Sequence, residues 1–96
     1  MEIKKGRNIY KAGKLVKISL EYSDVIRKIQ ITGDFFLYPE EAIEKLQKSL
    51  EGAKLEKEDI KRRVNEFISK NNAEIFGFDA EQLAEAILGA TQEVKV

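Results

Sequence analysis

Four apolar residues at strict two-residue spacing, Val16, Ile18, Leu20 and Tyr22, constrain this chain more than any other feature. Side chains alternate across a strand, so these four share one face. Lys17, Ser19 and Glu21 fall on the other, with Leu15. The spacing predicts a strand over Lys14–Tyr22 with a dry face and a wet face. A second run, Val25–Thr32, follows after Ser23-Asp24 and reads as the return strand of a hairpin. A two-residue turn would set Tyr22 opposite Val25, Ile18 opposite Ile29 and Val16 opposite Ile31. It would also place Arg27 on the apolar side opposite Leu20, at the sheet margin. Residues 1–9 are polar with isolated apolars and read either as an edge strand or as a loose arm.

One apolar sheet face needs a cover, and the rest of the chain supplies helices. The first opens at Tyr38-Pro39-Glu40-Glu41. Proline suits a first helical turn, and carboxylates suit the positive end of the dipole. Ile43, Leu46 and Leu50 form its stripe, and Gly52 stops it. A second helix over 56–70 buries Ile60, Val64, Phe67 and Ile68, and ends at Asn71-Asn72. A connector, 73–78, leads to Asp79 and Gln82, spaced as a capping box. The third helix buries Leu83, Ala86, Ile87 and Ala90, and 91–96 reads as a frayed tail. The expected fold is α+β: a small antiparallel sheet of two or three strands, covered on one face by three helices. At 96 residues this is a single domain, 1–96.

Chemistry is narrowed mainly by what the chain lacks. It has no cysteine and no histidine, which excludes disulfides, thiolate nucleophiles, the usual structural zinc sites and the commonest general base. It has no Gly-rich phosphate loop and no paired acid–base constellation. No catalytic, cofactor-binding or metal-binding residues are assigned. No apolar run approaches the roughly 20 residues that span a membrane. The start Met1-Glu2-Ile3-Lys4-Lys5 has no apolar segment behind it, so a cytoplasmic chain without a signal peptide is expected. Net charge is zero but uneven: 1–28 holds eight Lys/Arg against three Asp/Glu. That surplus reads either as a contact for phosphate or an acidic partner, or as a lysine-decorated solvent face. No aromatic platform accompanies it, so nucleic acid is not expected as a partner.

The candidate functional residues lie where the hairpin ends, at Gly33, Asp34, Phe35 and Phe36. Gly33 breaks the strand and reads as a position of positive φ or of close backbone approach. Adjacent phenylalanines in an extended segment face opposite ways, so one enters the core and the other faces a second pocket, a ligand or a partner. A second reading buries both. Asp34 either caps the helix start or accepts N–H groups from a partner. With Glu40 and Glu41 it forms an acidic group; Mg²⁺ binding and simple dipole complementarity are both open.

These features in this order resemble a known family. The strand end Ile31-Thr32-Gly33-Asp34-Phe35-Phe36, the following Pro39, the helix end Leu50-Glu51-Gly52 and the upstream stretch Tyr10–Val16 look like the C-terminal accessory domain of lipoate–protein ligases. The resemblance runs from about Tyr10 to Ala90. In that family the domain is either fused behind a catalytic domain or is a separate small protein. A chain that starts at its own Met looks like the separate form, working with a catalytic large subunit.

The resemblance implies a non-catalytic subunit that binds no cofactor alone. ATP, Mg²⁺ and lipoate are handled by the large subunit, and lipoyl-acceptor proteins are indirect partners. The domain is implied to be needed to convert lipoate and ATP to lipoyl-AMP, and dispensable for transfer to the acceptor lysine. The sheet-then-helices order is also similar to the fold of iron–sulfur scaffold proteins, where a ligand cysteine follows the glycine break. Here Asp34 stands there, so the alternative on that side is a non-catalytic adaptor of iron–sulfur or sulfur-transfer machinery without cluster ligands.

Overall fold

A computed structural model describes residues 2–12 and 14–91. The elements in chain order are β1 (Lys4–Ala12), β2 (Lys14–Tyr22), β3 (Ile26–Gly33), β4 (Phe36–Tyr38), α1 (Ala42–Leu50), α2 (Lys57–Asn71), β5 (Glu74–Phe76) and α3 (Ala80–Ala90). Strands β1, β2 and β3 form an antiparallel sheet in that order, and β4 pairs with β5 in a separate two-stranded ribbon. The architecture is the expected α+β one. Of the two readings of this N-terminal stretch, the edge strand holds from Lys4 onward. Most of the expected tail, 92–96, lies outside the described residues. Thr91 caps α3, its N–H and Oγ1 both donating to the Leu88 carbonyl.

The alternation in β2 is as read: Val16, Ile18, Leu20 and Tyr22 are buried. α3 packs on β1 and β2, α1 packs on β3, and α2 packs against α1 and α3. The opposite sheet face carries Lys5, Arg7, Lys17 and Lys28 and is exposed. Asn8 ties the edge strand down, its Nδ2 donating to the Ala86 carbonyl at 2.9 Å. No helix among the described residues is long and apolar enough to cross a membrane.

The hairpin register differs from expectation by two residues. Ile18 faces Ile31, Leu20 faces Ile29, Val16 faces Gly33, and Tyr22 faces Ile26. Two causes combine. Val25 leaves the hairpin to bridge Lys54, while Ile26 exchanges hydrogen bonds with Ala53 and Gly52, so the loop is three residues long. Ile26 and Ile29 are both buried although an odd spacing would put them on opposite faces. The strand resolves this with a bulge: Glu21 pairs with Lys28, and Arg27 is the extra residue. Arg27 is therefore exposed instead of lying opposite Leu20, and its Nε donates to Ser23 Oγ.

The helices keep their expected stripes with small shifts. α1 starts at Ala42, because Pro39–Ala42 forms a hydrogen-bonded turn ahead of it. Pro39 therefore precedes the helix. Ala42, Leu46 and Leu50 are its buried residues, and Ile43 is half-buried. In α2, Ile60, Val64 and Phe67 are buried and Ile68 is half-buried. The Asp79–Gln82 capping box forms as read, with reciprocal bonds of 2.8 and 3.0 Å.

The joint between α1 and α2 is polar. Arg63 Nη1 donates to the Ser49 and Glu51 carbonyls at 3.1 and 3.2 Å, which satisfies the end of α1. Beside it, the Asp59 carboxylate accepts the Lys54 N–H at 2.9 Å and pairs with the Arg62 guanidinium. The Lys54 amide first, and Arg62 next, hold Asp59 below its ordinary carboxylate value. A depressed folded value contributes stability above the unfolded value of about 3.9. That contribution is lost as pH falls through the folded value. Asp59→Asn is therefore expected to lower stability at pH 7 and to flatten its decline between about pH 5 and pH 2. Urea melts of both proteins across that range check it; parallel pH curves would contradict it.

Candidate partner interface

The four residues at the hairpin end are divided between two roles. Gly33 closes β3 with φ near 140°, and a Cβ there would lie 2.2 Å from the Leu15 carbonyl oxygen. That carbonyl accepts the Asp34 N–H at 2.8 Å. The sequence leaves a positive φ and a close approach as alternatives for Gly33, and here both occur. It turns the chain off the sheet and sends it into β4.

Asp34 does not cap α1. Strand β4 and the Pro39–Ala42 turn stand between them, and the N-cap residue of α1 is Glu41, which makes no side-chain capping bond. The Asp34 side chain is exposed. Among the described residues no three acidic side chains gather where they could hold a metal ion, so Asp34, Glu40 and Glu41 do not converge.

Phe35 and Phe36 face opposite ways. Phe35 is half-buried and packs edge-on against the buried Phe78, with ring centroids 5.0 Å apart. Phe36 is 63% exposed. The ribbon explains the division. Phe36 pairs with Phe76, Leu37 with Ile75, and Tyr38 with Glu74. Leu37 is buried and Ile75 half-buried, so this row faces inward. Phe36, Phe76, Tyr38 and Glu74 then share the outer face. Tyr38 and Phe76 are 53% and 52% exposed, and their rings meet edge-to-face at 6.3 Å. Beside them lies an open hollow of about 230 Å³ lined by Phe35, Phe36, Leu37, Tyr38, Glu40 and Ile43.

Tyr38 and Phe76 were not legible as site residues. Tyr38 reads as a helix-start residue and Phe76 as part of a connector, and nothing in either short stretch states that they pair. The one usable signal is the alternation in Phe36-Leu37-Tyr38 and Glu74-Ile75-Phe76, each only three residues long.

A larger hollow of about 620 Å³ lies between α1 and α2, with Lys45, Lys48, Arg62, Arg63 and Lys70 in its walls. Arg62 is paired with Asp59 and Glu66, and Arg63 is spent on the end of α1. The lysines near the ends of both helices complement their negative dipole ends. This groove is explained by the fold.

Comparison with known proteins decides the family. The profile of the bacterial lipoate protein ligase C-terminus family matches residues 7–87. The chain belongs to that family. No curated protein sequence matches. Among solved structures, the lipoate ligase C-terminal fold is met again in a chain from an archaeal lipoylation system. That structure is described as a bipartite lipoate protein ligase and its E2 lipoyl domain from Thermoplasma acidophilum. The match has a TM-score of 0.77 at 26% sequence identity, and covers 90% of this chain and 97% of that one. The α+β fold described above is therefore that of a lipoate ligase C-terminal accessory domain.

Proposed function

We propose that this chain is the accessory subunit of a bipartite lipoate–protein ligase, acting with a catalytic large subunit to form lipoyl-AMP from lipoate and ATP. The observation that carries the reading is the extent of the archaeal match. It spans 97% of a chain drawn from a structure of a bipartite ligase and its lipoyl domain. The family match over residues 7–87 supports the same assignment.

The chemistry explains why such a subunit is needed. The lipoate carboxylate attacks the α-phosphate of ATP, a carboxylate–phosphate anhydride forms, and pyrophosphate leaves. Both reactants are negative, so the site must hold Mg²⁺, exclude water and fix the line of attack. ATP, Mg²⁺ and lipoate bind the large subunit. The small subunit docks beside them and orders the loops around the nucleotide, as closing elements do in other enzymes. Ligase activity then resides in the complex. In the second step the acceptor lysine amine displaces AMP, which needs no further closure over ATP. An ATP-dependent reaction is compatible with a cytoplasmic complex.

The test is lipoylation of an acceptor domain by the cognate large subunit, with lipoate, ATP and Mg²⁺, with and without this chain. The expected result is modification only when the chain is present. Equal modification without it would overturn the proposal.

A further inference from the structure

We propose that the Phe36–Tyr38–Phe76 face is where this chain docks on its catalytic subunit, against an apolar patch bordered by Lys and Arg. The inference rests on the accessory-subunit reading and adds the surface and the chemistry of its counterpart.

Three observations carry it. The first is composition and placement. Three aromatic rings, each more than half exposed, share one face of a ribbon of two three-residue strands. Buried aromatics dominate the energetics of protein interfaces, and with two χ angles each they lose little entropy on binding. Their backbone is already positioned, because Leu37 is buried beneath the ribbon and Phe35 packs edge-on against Phe78. A ribbon this short has little stability of its own, and covering its outer face completes it.

The second observation is charge. From Asp34 to Glu44 the sequence carries Asp34, Glu40, Glu41 and Glu44 and no Lys or Arg, and Ala73–Asp79 adds Glu74 and Asp79. Glu74 lies opposite Tyr38 in the ribbon, and Glu40 lines the hollow beside it. Lys14 packs against the ribbon at Gly77, so the border is acidic at Glu40 and Glu74 and basic at that one edge. An apolar centre with a mainly acidic border fits an apolar patch with a mainly basic border. The third observation sets aside a second copy of this chain. A twofold contact through this face would enclose two copies of Glu74, which shares it, and of Glu40, which lines the hollow beside it, and like charges within one contact oppose association.

The experiment is titration of the cognate large subunit with the full chain and its variants, read by calorimetry and by analytical ultracentrifugation. Phe36→Ala and Phe76→Ala are each expected to weaken binding by about tenfold or more. Their folding is checked by circular dichroism, and both rings are exposed, so the fold should persist. A Glu40→Lys, Glu74→Lys double variant is expected to slow association by about tenfold at low salt, with the difference shrinking as salt rises. Lys17→Glu with Lys28→Glu, on the exposed sheet face, should bind as the unaltered chain does.

If the unaltered chain does not bind the large subunit, the accessory-subunit reading falls and takes this inference with it. If it binds and the ribbon variants bind equally well, only this inference is overturned. The same holds if the sheet-face variant is the one that weakens. A dimer of this chain alone that Phe36→Ala abolishes would show a second copy as the occupant, and would also overturn it.

Discussion

Gly33→Val is expected to lower stability by about 3 kcal/mol, enough to bring the melting temperature down by roughly 15 °C in a domain of this size. Two costs add. The backbone at Gly33 has φ near 140°, a region that residues with a Cβ rarely adopt. The added Cβ would also lie 2.2 Å from the Leu15 oxygen and 3.0 Å from Val16 Cα, both main-chain atoms of a paired strand. Neither atom has a flexible side chain to swing aside, so β2 or β3 must shift.

Gly52 provides the comparison. Its φ is also positive, at 86°, but a Cβ there meets nothing within 4 Å. Gly52→Ala should therefore cost only the conformational penalty, about 1 kcal/mol. Thermal and urea melts of the two variants separate the terms. Equal losses would mean that close approach at Gly33 contributes nothing.

Leu46→Ala is expected to be as damaging, at about 2–5 kcal/mol, through a different mechanism. Leu46 is fully buried, on the α1 stripe that packs against β3 and α2. Its neighbour Gln47 accepts the Ile31 N–H at 2.8 Å and so holds the helix to the sheet at that level. Removing the side chain leaves a cavity that this pinned helix cannot close by sliding inward. Ile43 reads as the same kind of residue by spacing alone. It is half-buried, beside the hollow next to the ribbon. Ile43→Ala should cost about 1 kcal/mol. Urea midpoints with unchanged slopes check both; a larger loss at Ile43 would contradict the packing described.

The contrast between Leu46 and Ile43 also marks how far a sequence of this kind can be read. Strict alternation in β2 and the Asp79–Gln82 spacing at α3 are local signals, and both elements form as read. The hairpin register is not local. Ile26 and Ile29 have incompatible parity, and Val25 pairs with Lys54, a residue beyond α1. A short-range reading sees a plain turn at Ser23-Asp24 and misses the bulge. The ribbon was hidden for a related reason. Strands of three residues carry almost no period, and β4 finds β5 only after two helices have been laid down between them.

The candidate site shows the same split. That Phe35 and Phe36 face opposite ways follows from their adjacency. That Phe36 joins Tyr38 and Phe76 depends on the long-range pairing. Of the two readings of Asp34, only the cap is excluded, since β4 and the Pro39–Ala42 turn separate it from the start of α1.

The most direct test of the account separates the two half-reactions. The cognate large subunit and an acceptor domain are supplied once with lipoate, ATP and Mg²⁺, and once with preformed lipoyl-AMP, each with and without this chain. The predicted result is dependence on the chain only in the first case, with pyrophosphate release following the same pattern. Full lipoylation from lipoate and ATP without the chain, or equal dependence on it in both cases, would contradict a role in activation.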